Sequence, residues 1–192
     1  MREESRSGCA HWFRDVLDAV PTGIVAGGAL RDYFQRRPLE SDVDVFFKSM
    51  EGLEEGIRSI EAADAEKIYD HSHVRGYLLN HRHIQLIKNH FFDGPEETID
   101  RFDFTVCCAA IDYMGRLAIH PNFFEDLAGR RLEIHNLSNP VSTFARVQKY
   151  VEKGFKASHN TLFKIAKAMQ EVDLENPSEN SLKFYQDATS RR

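Results

Sequence analysis

The feature that most constrains this chain is a pair of adjacent glycines, Gly27 and Gly28, between a short apolar run and a helical pattern. Ile24 to Ala26 reads as a strand, and the residues after the glycines read as a helix that ends before Pro38. The next apolar run, Ser41 to Phe47 (SDVDVFF), alternates acid and apolar residue and then becomes wholly apolar. That pattern predicts a strand whose inner end is core and whose carboxylates, Asp42 and Asp44, share one face. Adjacent glycines let backbone N–H groups approach a ligand without a Cβ in the way, and a helix N-terminus adds a positive dipole end, so a triphosphate fits there. Two carboxylates at i and i+2 repel unless a divalent cation lies between them. Nothing about folding favours acids that lead straight into Val45, Phe46 and Phe47, so the pair reads as a Mg²⁺ site.

The rest of the chain supplies a mixed sheet and its flanking helices. His11 to Val20 and Glu51 to Ala63 have helical apolar spacing, and Pro95 opens one or two helical turns. His73 to Leu79 and His83 to Lys88 predict two strands joined at Asn80 and His81. Phe102 to Asp112 (FDFTVCCAAID) is β-branched and aromatic and predicts a strand that turns at Tyr113 to Arg116 into another. Beyond Pro140 the pattern is helical, over Val141 to Phe155, Asn160 to Val172 and Ser181 to Ala188. The expected architecture is α+β: a mixed-sheet domain over 1–139 and a helical C-terminal segment over 140–192.

Composition excludes several classes. With 42% hydrophobic and 29% charged residues in 192, the chain buries a real core and is neither a disordered polyanion nor a membrane protein. Lys and Arg total 25 against 30 Asp and Glu, a net charge of −5, so nucleic acid must be held by a local patch. No apolar stretch reaches the ~20 residues of a membrane helix, and the start has no signal-peptide core. Three cysteines are an odd set, and a bond between the neighbours Cys107 and Cys108 would be strained. A cytoplasmic protein with packed thiols is expected.

GGALRD (Gly27 to Asp32) followed by DVDVFF (Asp42 to Phe47) resembles the signature of the DNA polymerase β-type nucleotidyltransferase superfamily. It is most similar to the branch of bacterial poly(A) polymerases and CCA-adding tRNA nucleotidyltransferases, which pairs a GG-x-V-R-D turn with a D-x-D strand. RFDFTVCCAAID resembles the branch's R-R-D-F-T-x-N-A-x-x-Y-D, with Phe102 in place of an arginine and Cys107 in place of an asparagine. FFEDLAGRRLEIHN is similar to its G-x-x-D-L-x-x-x-x-L-R. NPVSTFARVQKYVEKGF is similar to its D-P-x-R-x-L-R-x-x-R-F helix, with Ser142 where an arginine stands in the family. Short phage and large-virus relatives, with FD for RRD and an R-x-x-K-Y-x-x-x-G-F helix, look closer still. The likeness covers about residues 22–156.

The resemblance implies a mixed sheet on which two or three carboxylates hold Mg²⁺, or Mn²⁺, while a 3′-hydroxyl attacks the α-phosphate of an NTP. Asp42 and Asp44 are then the metal ligands, Gly27, Gly28 and Arg31 bind the nucleotide, Asp32 braces the turn, and Arg146 and Lys149 steady the triphosphate. The superfamily usually has a third carboxylate on a neighbouring strand, and the hairpin position where it would be sought carries Gln85, which neither accepts that proton nor binds metal tightly. Asp103, an acid between apolar residues at a strand start, is the candidate third acid, with a cap or a partner for Arg101 as its other role. The implied acceptor is an RNA 3′ end of tRNA-like kind. The family's base-selecting E-D-x-x-R-R helix is not recognisable, which leaves the base open. Two alternatives use the same residues: transfer of NMP to a protein or small-molecule hydroxyl, and a non-catalytic nucleotide- or RNA-binding module.

Other clusters point less far. His71 with His73 and His81 with His83 form two H-x-H pairs, a spacing zinc uses, but without accompanying cysteines or an H-E-x-x-H helix. With Arg75, Arg82 and Lys88 these histidines read equally as a local patch for RNA phosphates. Phe91, Phe92, Phe123 and Phe124 read as core or hinge material.

Overall fold

A computed structural model describes residues 8–38 and 40–172. The predicted helix over Ser181 to Ala188 lies outside them. Contacts group the chain into two compact units, one running through Phe102 together with Cys107–Phe123, the other made of Asp103–Val106 and the chain from Phe124.

The first unit is built on a seven-stranded sheet in the order β3-β4-β5-β2-β1-β6-β7. Its strands are β1 (Gly23–Ala26), β2 (Val43–Phe47), β3 (Glu66–Asp70), β4 (Val74–Leu79), β5 (Arg82–Phe91), β6 (Ala109–Asp112) and β7 (Leu117–Ile119). Only the β2–β5 pair is parallel. Its helices are α1 (Arg14–Ala19), α2 (Gly28–Phe34), α3 (Met50–Ala62) and α4 (Pro95–Ile99). β1 is buried along its whole length because it is central and covered on both faces. Ile24 and Ala26 join Phe46, Phe92, Ile99 and Cys108 in one core cluster. On the opposite face α3 packs so closely that a Cβ on its Gly56 would stand 2.6 Å from Phe47.

One transverse row of this sheet places the carboxylates. Register pairs Tyr69 with Gly76, Gly76 with Gln85, and Gln85 with Asp44. It continues from Asp44 to Ala26, then to Ala110 and Ala118. Paired residues on neighbouring strands project to the same face, so Asp44 sits between an amide and a run of small side chains.

The second unit contains α5 (Phe123–Ala128) past its first residue, α6 (Pro140–Glu152), α7 (His159–Met169) and the short parallel pair β8 (Arg131–Leu132) with β9 (Lys156–Ala157). Asn139 caps α6 by accepting from the Ser142 amide at 3.2 Å, and Ser158 caps α7 through Thr161 N–H at 3.1 Å. The expected boundary at 139/140 is therefore drawn differently here, because β8 pairs with β9 and the Thr161 hydroxyl bonds the Leu132 carbonyl at 2.8 Å, which ties residues before 139 to the helices after it.

Most predicted elements form where the pattern placed them. The β4–β5 hairpin turns at Asn80 and His81, both at positive φ (49° and 64°), as a two-residue turn with right-handed strand twist requires. The helix α5 and the short strands β8 and β9 received no prediction, and two further elements differ. β3 received no prediction, because its residues are exposed or half-buried and carry no clean alternation. The strand expected from Phe102 onward begins only at Ala109: Thr105–Cys107 is a 3₁₀ turn, and Thr105 N–H bonds the Glu133 carbonyl at 3.0 Å instead of joining the sheet. Among the described residues no helix is long and apolar enough to cross a membrane. Cys9, Cys107 and Cys108 are buried thiols, and burial pushes the Cys9 thiol up to about 12.

Candidate active site

β1 ends at Ala26, and the chain reverses through Gly27 at φ 82°, a conformation side chains rarely adopt. A Cβ there would lie 3.2 Å from the Phe102 ring and 3.9 Å from Asp44 Oδ2. The turn is thus next to the carboxylate, with Phe102 packed beside it. Gly28 has a different reason to be small, since its Cβ would stand 2.9 Å from Ser41 Oγ.

That close packing belongs to a brace. Arg31 is 2% exposed and Asp32 4%. Arg31 donates to Asp32 Oδ1 from Nε (3.1 Å) and Nη2 (2.8 Å), and Nη2 also donates to Ser41 Oγ at 2.9 Å. Asp32 Oδ2 accepts from the Ser41 backbone N–H at 3.0 Å. Ser41 immediately precedes Asp42, so the R-D pair of α2 clamps the segment that delivers both acids. Arg31 was expected to touch the nucleotide. The structure turns it inward instead, because burial beside Asp32 satisfies its charge.

Asp42 lies one residue before β2, and Asp44 is its second residue, half-buried. Gln85 Nε2 donates to Asp42 Oδ2 at 2.6 Å and to the Tyr69 hydroxyl at 2.8 Å. Tyr69 reaches that position because Gly76 has no side chain: a Cβ on Gly76 would be 2.3 Å from the Tyr69 ring. The chain Tyr69, Gln85, Asp42 crosses three strands and orients one carboxylate. The sequence hinted at Gln85 through the hairpin position; Tyr69 was missed with its strand.

Asp103 is 7% exposed and is paired with Arg146, not with Arg101. It lies off the sheet, and its carbonyl accepts from His135 N–H (2.8 Å) and Asn136 N–H (3.3 Å), all within the second unit. Lys149 is exposed one turn along α6, and Ser142 is buried with an unpartnered Oγ.

A small cleft of about 130 Å³ adjoins Asp42, lined by Trp12, Glu40, Ser41, His81, Arg82 and His83 as well. The histidine pairs do not come together as a zinc site: among the described residues no group of three or more His, Cys, Asp or Glu could hold a metal. His71 stacks on Tyr69 at 5.1 Å and His73 Nδ1 lies 3.2 Å from Asn89 Nδ2. Nor is the expected phosphate patch cationic on balance. Arg75 and Lys88 both hold Asp70, at 2.6 and 2.9 Å, and Arg82 faces Asp15 at 3.4 Å. Those two cations hold the Asp70 carboxyl down at about 2.

Residues 3–130 match the model of the Gabija anti-defense 2 family. The chain belongs to that family. Among Gabija anti-defense 2 proteins, one from Bacillus phage SPbetaL7 is 28% identical over 147 residues, 74% of this chain and 36% of the relative. The chain thus spans little more than a third of that relative's length. Solved structures similar to this family member are CCA-adding enzymes, of which it spans about half or less. A CCA-adding enzyme in complex with ATP has a TM-score of 0.67 at 17% identity, over 92% of this chain and 46% of that one. The Thermotoga maritima enzyme complexed with tRNA has a TM-score of 0.64 at 15% identity, over 97% and 53%. The Bacillus stearothermophilus enzyme with CTP has a TM-score of 0.54 at 17% identity, over 78% and 41%. At such identities the likeness is one of fold: this Gabija anti-defense 2 family member has the nucleotidyltransferase α+β fold.

Proposed function

We propose that this chain transfers a nucleoside monophosphate from an NTP to a hydroxyl acceptor, an RNA 3′ end of tRNA-like kind, with release of pyrophosphate. The observation that carries the reading is the placement of Asp44 in the sheet row beside the Gly27 turn, with Asp42 held by Gln85 and its approach clamped by Arg31 and Asp32.

Two hard carboxylate oxygen sets on one sheet face suit Mg²⁺ or Mn²⁺. Gln85 contributes a donor and no ligand, so the protein supplies Asp42 and Asp44, and phosphate oxygens and water must complete the shell. When bound, such an ion neutralises triphosphate charge and favours attack at the α-phosphorus. The remaining work falls to the chain. The Gly27 turn admits the phosphates because no Cβ obstructs them. The acceptor oxygen bonds to the α-phosphorus as the bond to the bridging oxygen breaks, and pyrophosphate leaves. The Gln85 amide keeps Asp42 aimed by donating to its Oδ2. The proton of the attacking hydroxyl leaves to water rather than to Asp103, whose pairing with Arg146 supports a structural role for both.

The anti-defense name borne by the family and its phage relative supports a setting in which this reaction counters the Gabija defence. A second reading, a non-catalytic nucleotide-binding module, is favoured by one observation: the residue paired with Asp44 across β2 and β5 is an amide, Gln85, and not a further acid. Incubating the protein with each α-labelled NTP, Mg²⁺ or Mn²⁺, a tRNA pool and a host extract separates the readings. Label on RNA that disappears in Asp42→Asn and Asp44→Asn supports transfer to RNA. Label on protein reassigns the acceptor, and NTP binding without turnover supports the module.

A further inference from the structure

We propose that the cleft beside Asp42 is the subsite for the acceptor, and that it receives the terminal nucleoside of an RNA through its base and its vicinal 2′,3′-hydroxyls. The assignment rests on the reading of Asp42 and Asp44 as the transfer centre.

Size comes first. At about 130 Å³ the cleft is well below the ~300–1,000 Å³ of pockets that enclose a whole small-molecule ligand. It therefore takes the end group of something larger. Chemistry then selects the end group. Trp12 is 40% exposed, although it is the largest apolar side chain of the unit's first helical stretch. The Arg82 guanidinium lies 5.3 Å from its ring centroid and the Tyr33 ring 5.6 Å away at 45°, and together they hold the indole in place. An exposed, braced indole is a stacking platform, and stacking on it suits any nucleobase. Beside it, the Glu40 and Asp42 carboxylates and the Ser41 hydroxyl offer oxygen acceptors to neighbouring hydroxyl donors. A ribose terminus brings a planar base and two adjacent hydroxyls together. A serine, threonine or tyrosine side chain brings only one hydroxyl, leaving one carboxylate without a partner. The cleft's position at Asp42 puts the bound diol at the carboxylate that serves the reaction. His81 and His83 also line the cleft and can serve as hydrogen-bond partners for the base.

Trp12 is the only tryptophan in the chain, so its fluorescence reports directly on the cleft. The test is a titration of the full chain with the ribodinucleotide CpA, its 2′-deoxy-terminated counterpart and a tyrosine-containing tripeptide, with a non-hydrolysable ATP analogue and Mg²⁺ present. Saturable quenching by CpA, weakened about five- to tenfold by loss of the 2′-hydroxyl, is expected, with no response to the peptide. Unchanged fluorescence with CpA, or a tighter response to the peptide, overturns the assignment. In transfer assays Trp12→Ala raises the acceptor KM about tenfold or more with little change in kcat, and Trp12→Phe restores it. The wild-type titration decides the matter even if Trp12→Ala does not fold. RNA labelling without quenching sinks the subsite and leaves the transferase reading standing. Quenching without turnover of any NTP sinks the transferase reading and supports the cleft as an RNA-end site.

Discussion

Gln85 donates its amide to Asp42 Oδ2 and to the Tyr69 hydroxyl. Removing it should act through Asp42. We expect Gln85→Leu to weaken Mn²⁺ affinity in the presence of ATP by about 10–100-fold, as loss of a partner behind a metal ligand does, which calorimetric titration reads directly. The two glycines should respond for different reasons. Gly27→Ala forces a side chain to φ 82°, ψ −130°, outside even the left-handed helical region, and costs about 1–3 kcal/mol before any nucleotide is considered. Gly28→Ala drives a Cβ to within 2.9 Å of Ser41 Oγ, so it should lower Tm by loosening the Arg31–Asp32–Ser41 brace, measured by thermal unfolding without nucleotide. A larger side chain at Gly28 would therefore test the brace more than the phosphate approach. The identity of the two acids was legible from alternation. The role of Arg31 was not, since a guanidinium beside a glycine turn looks the same in sequence whether it faces ligand or core.

At the scale of elements, β3 and β4 are held to β5 by Asp70 with Arg75 and Lys88 and by Tyr69 lying over Gly76. Asp70 is held at about 2, below its ordinary ~3.9. The stabilisation it provides is full above about pH 4 and fades as pH falls toward 2. The Tm difference between wild type and Asp70→Asn should follow that course: present at pH 6, shrinking below pH 4. Gly76→Ala must displace the Tyr69 ring and with it the hydroxyl that accepts from Gln85, so it should mimic Gln85→Leu in Mn²⁺ titrations despite sitting a strand away. Periodicity exposed the helices and the β4–β5 hairpin, because each buries one face. It was silent on β3, an edge strand with almost no buried face, and misleading at Asp103 to Cys108, where buried apolar residues belong to a 3₁₀ turn and a loop bonded to Glu133.

For the molecule as a whole, an NTP and a divalent ion that bind the folded state alone should stabilise it by mass action. At ligand near 100 Kd this is about 2.7 kcal/mol, or roughly 5–10 °C in Tm for a chain of this size. Mg²⁺ with ATP should produce that shift in the wild type, and ATP with chelator, or Mg²⁺ with ATP and Asp44→Asn, should not. What the sequence determined by itself was the order of strand, glycine turn, helix and acidic strand, because backbone permissiveness and a period of two are local properties of neighbouring residues. What only the tertiary structure decided was which side chains meet: Gln85 with Asp42, Arg31 with Ser41, Asp103 with Arg146, and Trp12 with Arg82. Those pairings depend on strand register and burial across long separations in the chain, and a linear pattern holds no record of either.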